Sequence, residues 1–112
     1  MQKNKFINTT KYEDFLNPNS IYPAAQRRVE SVIDSVRDNP NVLKIYVFGS
    51  SLTRQWTIYS DLDFYLVLKE NQKKILQKPL TFDYDMLTNF NVDKDFLEKQ
   101  ILNKGELVYE RK

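Results

Sequence analysis

The sequence predicts an α/β (α+β) fold, a small mixed β-sheet flanked by helices. Three observations point there. Residues 22–37 repeat apolar side chains at the spacing of one helix face. Residues 42–48 and 61–68 are rich in β-branched, leucine and aromatic side chains with strand alternation. A second helical pattern at 93–103 runs through a glycine into a short strand-like end. At 112 residues the chain suits one domain with a single modest core. Residues 1–20 read as an N-terminal extension and 21–112 as the domain.

The extension is polar and turns around Asn17-Pro18-Asn19, with Tyr12, Phe15 and Leu16 able to dock a helical turn. In the first helix Ala25, Val29, Val32, Ile33 and Val36 form the core face; Pro23 suits its first turn and Asn39-Pro40 ends it. Residues 42–48 form a strand that Gly49-Ser50-Ser51 breaks, and 52–56 suit a short helix. In the central strand, 61–68, alternation puts Leu62, Phe64, Leu66 and Leu68 on one face and Asp61, Asp63, Tyr65 and Val67 on the other. The basic connection 69–78 has room for one or two helical turns. Residues 80–87 read as a third strand with Phe82, Tyr84 and Met86 on one face and Asp83 and Asp85 opposite. The helix 93–103 turns Phe96, Leu97 and Ile101 inward and stops at Lys104-Gly105. Residues 106–110 close the chain as an edge strand.

Composition removes whole classes of chemistry. There is no cysteine, hence no disulfide, thiol nucleophile or thiolate zinc site, and no histidine, hence no imidazole base or Ser-His-Asp triad. Oxygen ligands remain, and they suit magnesium or manganese better than zinc. The net charge of +2 comes from dispersed basic residues, which argues against a dedicated nucleic-acid binder. No stretch reads as a signal peptide or membrane span, so the expected location is cytoplasmic.

The stretch FGSSLTRQWTIYSDLDF, residues 48–64, concentrates the remaining chemistry. A strand ending in Gly-Ser-Ser lets the backbone approach a ligand closely and turns unpaired amides outward, so a phosphate can sit there; an ordinary serine-capped turn has the same sequence. Asp61 and Asp63, two apart on a strand, face the same way at roughly 6–7 Å. Unneutralised, they repel, and one tends to stay protonated. A divalent cation removes that penalty. Asp83 and Asp85 add a third carboxylate from a neighbouring strand, and three carboxylates beside a phosphate-binding turn suit two-metal phosphoryl chemistry.

Phe48-Gly49-Ser50, ten residues, then Ser60-Asp61-Leu62-Asp63-Phe64 resembles the signature of the DNA polymerase beta-like nucleotidyltransferase superfamily. The likeness is to its small bacterial minimal nucleotidyltransferases. It extends from about residue 22 to 109, since ILNKGELVY at 101–109 is similar to their terminal helix-glycine-strand segment. The resemblance implies a nucleotidyltransferase fold. It also implies that Gly49 and Ser50, with Ser51 and Arg54 beside them, hold a triphosphate. Asp61, Asp63 and Asp83 would then be the catalytic acids and the ligands of two Mg²⁺ ions, with Asp85 as the alternative third acid. Many relatives carry arginine where this chain has Thr53; Arg54 comes one position later. Trp56 and Tyr59 are left unassigned.

The activity so implied is transfer of a nucleoside monophosphate, AMP from ATP, to a hydroxyl on a protein or small-molecule acceptor, with release of pyrophosphate. The length leaves nothing to grip a template. In bacterial relatives a HEPN-type partner protein, paired as toxin with antitoxin, is the acceptor, which makes such a protein the expected partner here. The alternative is a transferase fold without catalysis that acts as an antitoxin by contact alone.

Overall fold

The computed structural model describes residues 5–112. Helix α1 spans Pro23–Val36 and strand β1 Val42–Phe48. A single 3₁₀ turn, Gly49–Leu52, follows. Strands β2, Leu62–Leu68, and β3, Tyr84–Thr88, come next. A short helix, α2, Lys94–Phe96, continues as a π-helical segment, Leu97–Leu102, and β4, Glu106–Glu110, ends the sheet. The order across the sheet is β3-β2-β1-β4, with β1 antiparallel to both neighbours and β2 parallel to β3. The mixed sheet with helices is the predicted fold class.

The core lies between α1 and one sheet face. Ala25, Val29, Val32, Ile33 and Val36 meet Val42, Ile45, Val47, Leu62, Phe64, Leu66 and Val108, all fully or almost fully buried. Each such aliphatic or aromatic side chain stabilises the fold by about 1.5–3 kcal/mol relative to exposure. Pro23 opens α1, where its missing N–H costs nothing. The far end of α1 is closed by Arg111, which donates from Nε to the Val42 carbonyl (2.8 Å) and from one terminal nitrogen to those of Val36, Arg37 and Asn39 (2.9–3.1 Å). Buried Gln26 donates to the Ile7, Pro18 and Ile21 carbonyls and accepts from the Thr9 amide and hydroxyl, tying residues 5–21 to α1. Phe15 enters the same core.

Four local expectations differ from the structure. The turn after β1 is 3₁₀ and begins at Gly49, ahead of the expected helix at 52–56. The connection 69–78 holds no helix; Asn39, Asn41, Gln72 and Ser35 fasten it instead. β3 begins at Tyr84 rather than residue 80, because its ladder with β2 starts only at Leu62, opposite Tyr84. Residues 80–83 would have to pair with 58–61, which form a loop. The last helix splits into α and π parts, and Phe96 is 37% exposed, edge-on to Phe48 with centroids 6.0 Å apart, rather than turned into the core.

Candidate active site

The site forms where β1 ends. Antiparallel pairing sets Phe48 opposite Asp63, so Gly49 arrives beside that carboxylate. Gly49 has φ +84°, a left-handed conformation that favours glycine. A Cβ there would run into Oδ2 of Asp63. Both the turn and the acid's position therefore require that this residue have no side chain. Thr53 closes the turn, its amide and hydroxyl both donating to the Ser50 carbonyl (2.9 and 2.8 Å).

Parallel pairing of β2 with β3 sets Asp63 opposite Asp85. Asp63 is half-buried, and its pKa is pushed up to about 6. Burial is the largest cause, followed by the Asp85 charge, a hydrogen bond with Asp85 and the Asp61 charge. The repulsion expected from the Asp-x-Asp spacing, that of Asp61, is the smallest of these causes. Among the described residues no ion pair reaches Asp61, Asp63, Asp83 or Asp85.

Asp85, rather than Asp83, is therefore the third acid brought to Asp63. Asp83 precedes β3; its carbonyl accepts from the Leu62 amide (3.2 Å), and it borders a separate hollow with Arg28, Tyr59 and Ser60. Two-residue alternation predicts the same facing for both acids, but register picks between them. Three groups of the His, Cys, Asp or Glu kind are not gathered tightly enough to hold one ion among the described residues. The donor set nevertheless suits a hard divalent ion: all oxygen, acidic, reached by no ion pair among the described residues, with the pKa of one member raised by burial, like charge and a hydrogen bond to another acid.

A cavity of about 740 Å³ opens beside this cluster, within the range of small-molecule sites. Gly49, Thr53 and Asp63 line it, and so do Phe96, Gln100 and Lys104. Of the other residues expected in the site, Ser50, Ser51, Arg54, Asp61, Asp83 and Asp85 are not among its lining. Ser51 is 1% exposed, and its hydroxyl has no partner among the described residues. The Arg54 guanidinium lies 5.4 Å over the Phe6 ring, in an adjoining hollow with Lys5 and Thr53. Trp56 is core, and Tyr59 is 89% exposed.

Sequence reasoning missed Arg28, whose helix was read only for its apolar face. Its guanidinium sits 4.7 Å over Trp56 and 5.2 Å over Phe82, and donates to the Ile58 and Ser60 carbonyls (2.9 and 3.1 Å). It thereby fixes the loop that delivers Asp61. Lys5 and Lys104, the two cations on the cavity wall, were missed as well; nothing local marks them, because they come from opposite ends of the chain.

The family profile described as "Polymerase beta, Nucleotidyltransferase" matches residues 30–112. No curated protein matches the chain significantly. A solved structure of the tri-AMPylated Shewanella oneidensis HEPN toxin in complex with MNT antitoxin contains a chain similar to this one, at TM-score 0.56 and 24% identity. The match covers 77% of this chain and 72% of that one. At that identity the likeness is one of fold.

Proposed function

From the premise that this chain belongs to the polymerase beta nucleotidyltransferase family, we propose that it transfers AMP from ATP to a hydroxyl of a HEPN-type partner protein and releases pyrophosphate. One observation carries the reading: a left-handed glycine with no room for a side chain lies directly against Asp63, itself register-paired with Asp85. A purely structural turn has no need to seat a left-handed glycine against a cluster of acids that no basic side chain among the described residues reaches.

In this reading Gly49 admits the β- and γ-phosphates against bare backbone, with Ser50 alongside. Asp61, Asp63 and Asp85 are the residues that would hold magnesium, which would neutralise phosphate charge and make the acceptor hydroxyl more acidic. Lys5 and Lys104 offset the remaining negative charge. The acceptor oxygen forms a bond to the α-phosphorus as the bond to the bridging α,β-oxygen breaks, and pyrophosphate leaves. The acceptor's proton passes to a carboxylate oxygen of Asp85. Asp83 stays outside this set, and Ser51 and Arg54 bind no phosphate until they move. The protein acceptor is supported by the fold likeness to a chain of a complex in which a HEPN toxin is AMPylated.

Intact-mass measurement tests the proposal. Incubated with magnesium and each nucleoside triphosphate, a HEPN-type protein from the same genome gains AMP-sized increments with ATP, and none with the Asp63→Asn variant. A second reading is an antitoxin that acts by contact alone. The loose arrangement of the acids and the stacking of Arg54 on Phe6 favour it. It predicts a stable complex of unchanged mass.

A further inference from the structure

Part of the cavity lining has features that phosphate binding does not use. Phe96 exposes its ring there, braced edge-on by Phe48. Gln100 and Asn103 line the same cavity, and neither side-chain amide has a hydrogen-bond partner among the described residues. The backbone beneath them is π-helical: Leu97–Leu102 has the wide winding, and the Asn103 amide donates to the carbonyl of Glu98, five residues back (3.3 Å). Short π segments cost hydrogen-bond quality and occur frequently at functional sites. Ile101, fully buried, pins this one to the sheet, so Gln100 and Asn103 are held by a fixed support.

An exposed aromatic ring beside two free amides is what a nucleobase needs. Stacking on a ring is indifferent to the base, because every base has a π-face. Side-chain amides are not indifferent. Each presents a donor and an acceptor in one plane, and that pair matches the N6 and N7 edge of adenine, whereas guanine offers two acceptors there. We infer that Phe96, Gln100 and Asn103 form the base seat of the nucleotide, with the amides selecting adenine over guanine. The inference rests on the nucleotidyltransferase reading for the phosphate end of the cavity and goes beyond it by assigning the other end.

Binding measured on the whole chain with magnesium tests it, using ATP, GTP and inorganic tripolyphosphate as probes. The wild type binds ATP about tenfold more tightly than GTP. Gln100→Ala/Asn103→Ala raises the Kd for ATP about tenfold, brings the two nucleotides level and leaves tripolyphosphate binding unchanged. Phe96→Ala weakens ATP and GTP alike, and Phe96→Tyr restores both. Because both amides are exposed, the double variant keeps its fold, which unchanged tripolyphosphate binding also reports. ATP affinity unaltered in the double variant, with tripolyphosphate still bound, overturns the base seat and leaves the transferase reading standing. Failure of the wild type to bind any of the three probes overturns both.

Discussion

Asp63 retains its proton to about pH 6, because burial and two neighbouring acids penalise its charge. The unfolded chain releases that proton near 3.8. The folded state is thus favoured by the protonated form: this contribution is complete below about pH 4, declines as pH rises towards 6 and is gone above. Asp63→Asn removes the dependence and, discounted for solvent screening, stabilises the metal-free fold at pH 7 by on the order of 1 kcal/mol while abolishing transfer. Urea unfolding in EDTA from pH 4 to 7 checks this; parallel curves for variant and wild type would refute it. The choice of third acid is as testable. Asp85→Asn should lower kcat by about 100-fold or more, the usual scale for losing a positioned acid–base group, and Asp83→Asn by less than about tenfold. At Gly49, a change to alanine adds left-handed strain of about 1–2 kcal/mol to the collision with Asp63, so denaturation and ATP titration should both register it.

Among the elements, those with strong periodicity are legible in the sequence. The helix predicted at 22–37 is α1, and the strands at 42–48 and 106–110 have the predicted bounds, because each presents one apolar face to a single core. Asp-x-Asp at the head of β2 and glycine at the end of β1 mark the acids and the turn by local pattern. What was not legible depends on partners distant in sequence. β3 starts where β2 can pair with it, and that register, not alternation, brings Asp85 to Asp63. Periodicity alone does not separate α from π winding in Leu97–Leu102. Arg111 shows the same dependence: in sequence it is a basic residue in a polar tail, yet it bonds four carbonyls around the end of α1. Arg111→Ala should cost about 3 kcal/mol, since bonds from a charged donor are worth about 1.5–3 kcal/mol each and do not add fully. Arg111→Lys should recover less than half, as one ammonium cannot span the set; thermal unfolding of both variants decides it.

At the scale of the whole molecule, the cavity exists because the order β3-β2-β1-β4 sets the turn after β1 against the segment leading into β4. No helix among the described residues is long and apolar enough to cross a membrane. Lys5 and Lys104 close the cavity from the two ends of the chain, so Lys5→Ala/Lys104→Ala should weaken ATP binding about tenfold at low salt and make its salt dependence shallower. An unchanged salt slope would place the charge compensation elsewhere. The sheet order also bears on synthesis. β1 leaves the ribosome well before its β4 neighbour and the Arg111 latch. A nascent chain halted near residue 105 therefore exposes one whole ladder edge of an interior strand, a template for sticking to other chains. Translation must run past β4 before the sheet can close on this edge, which makes a stalled product a target for chaperones and proteases.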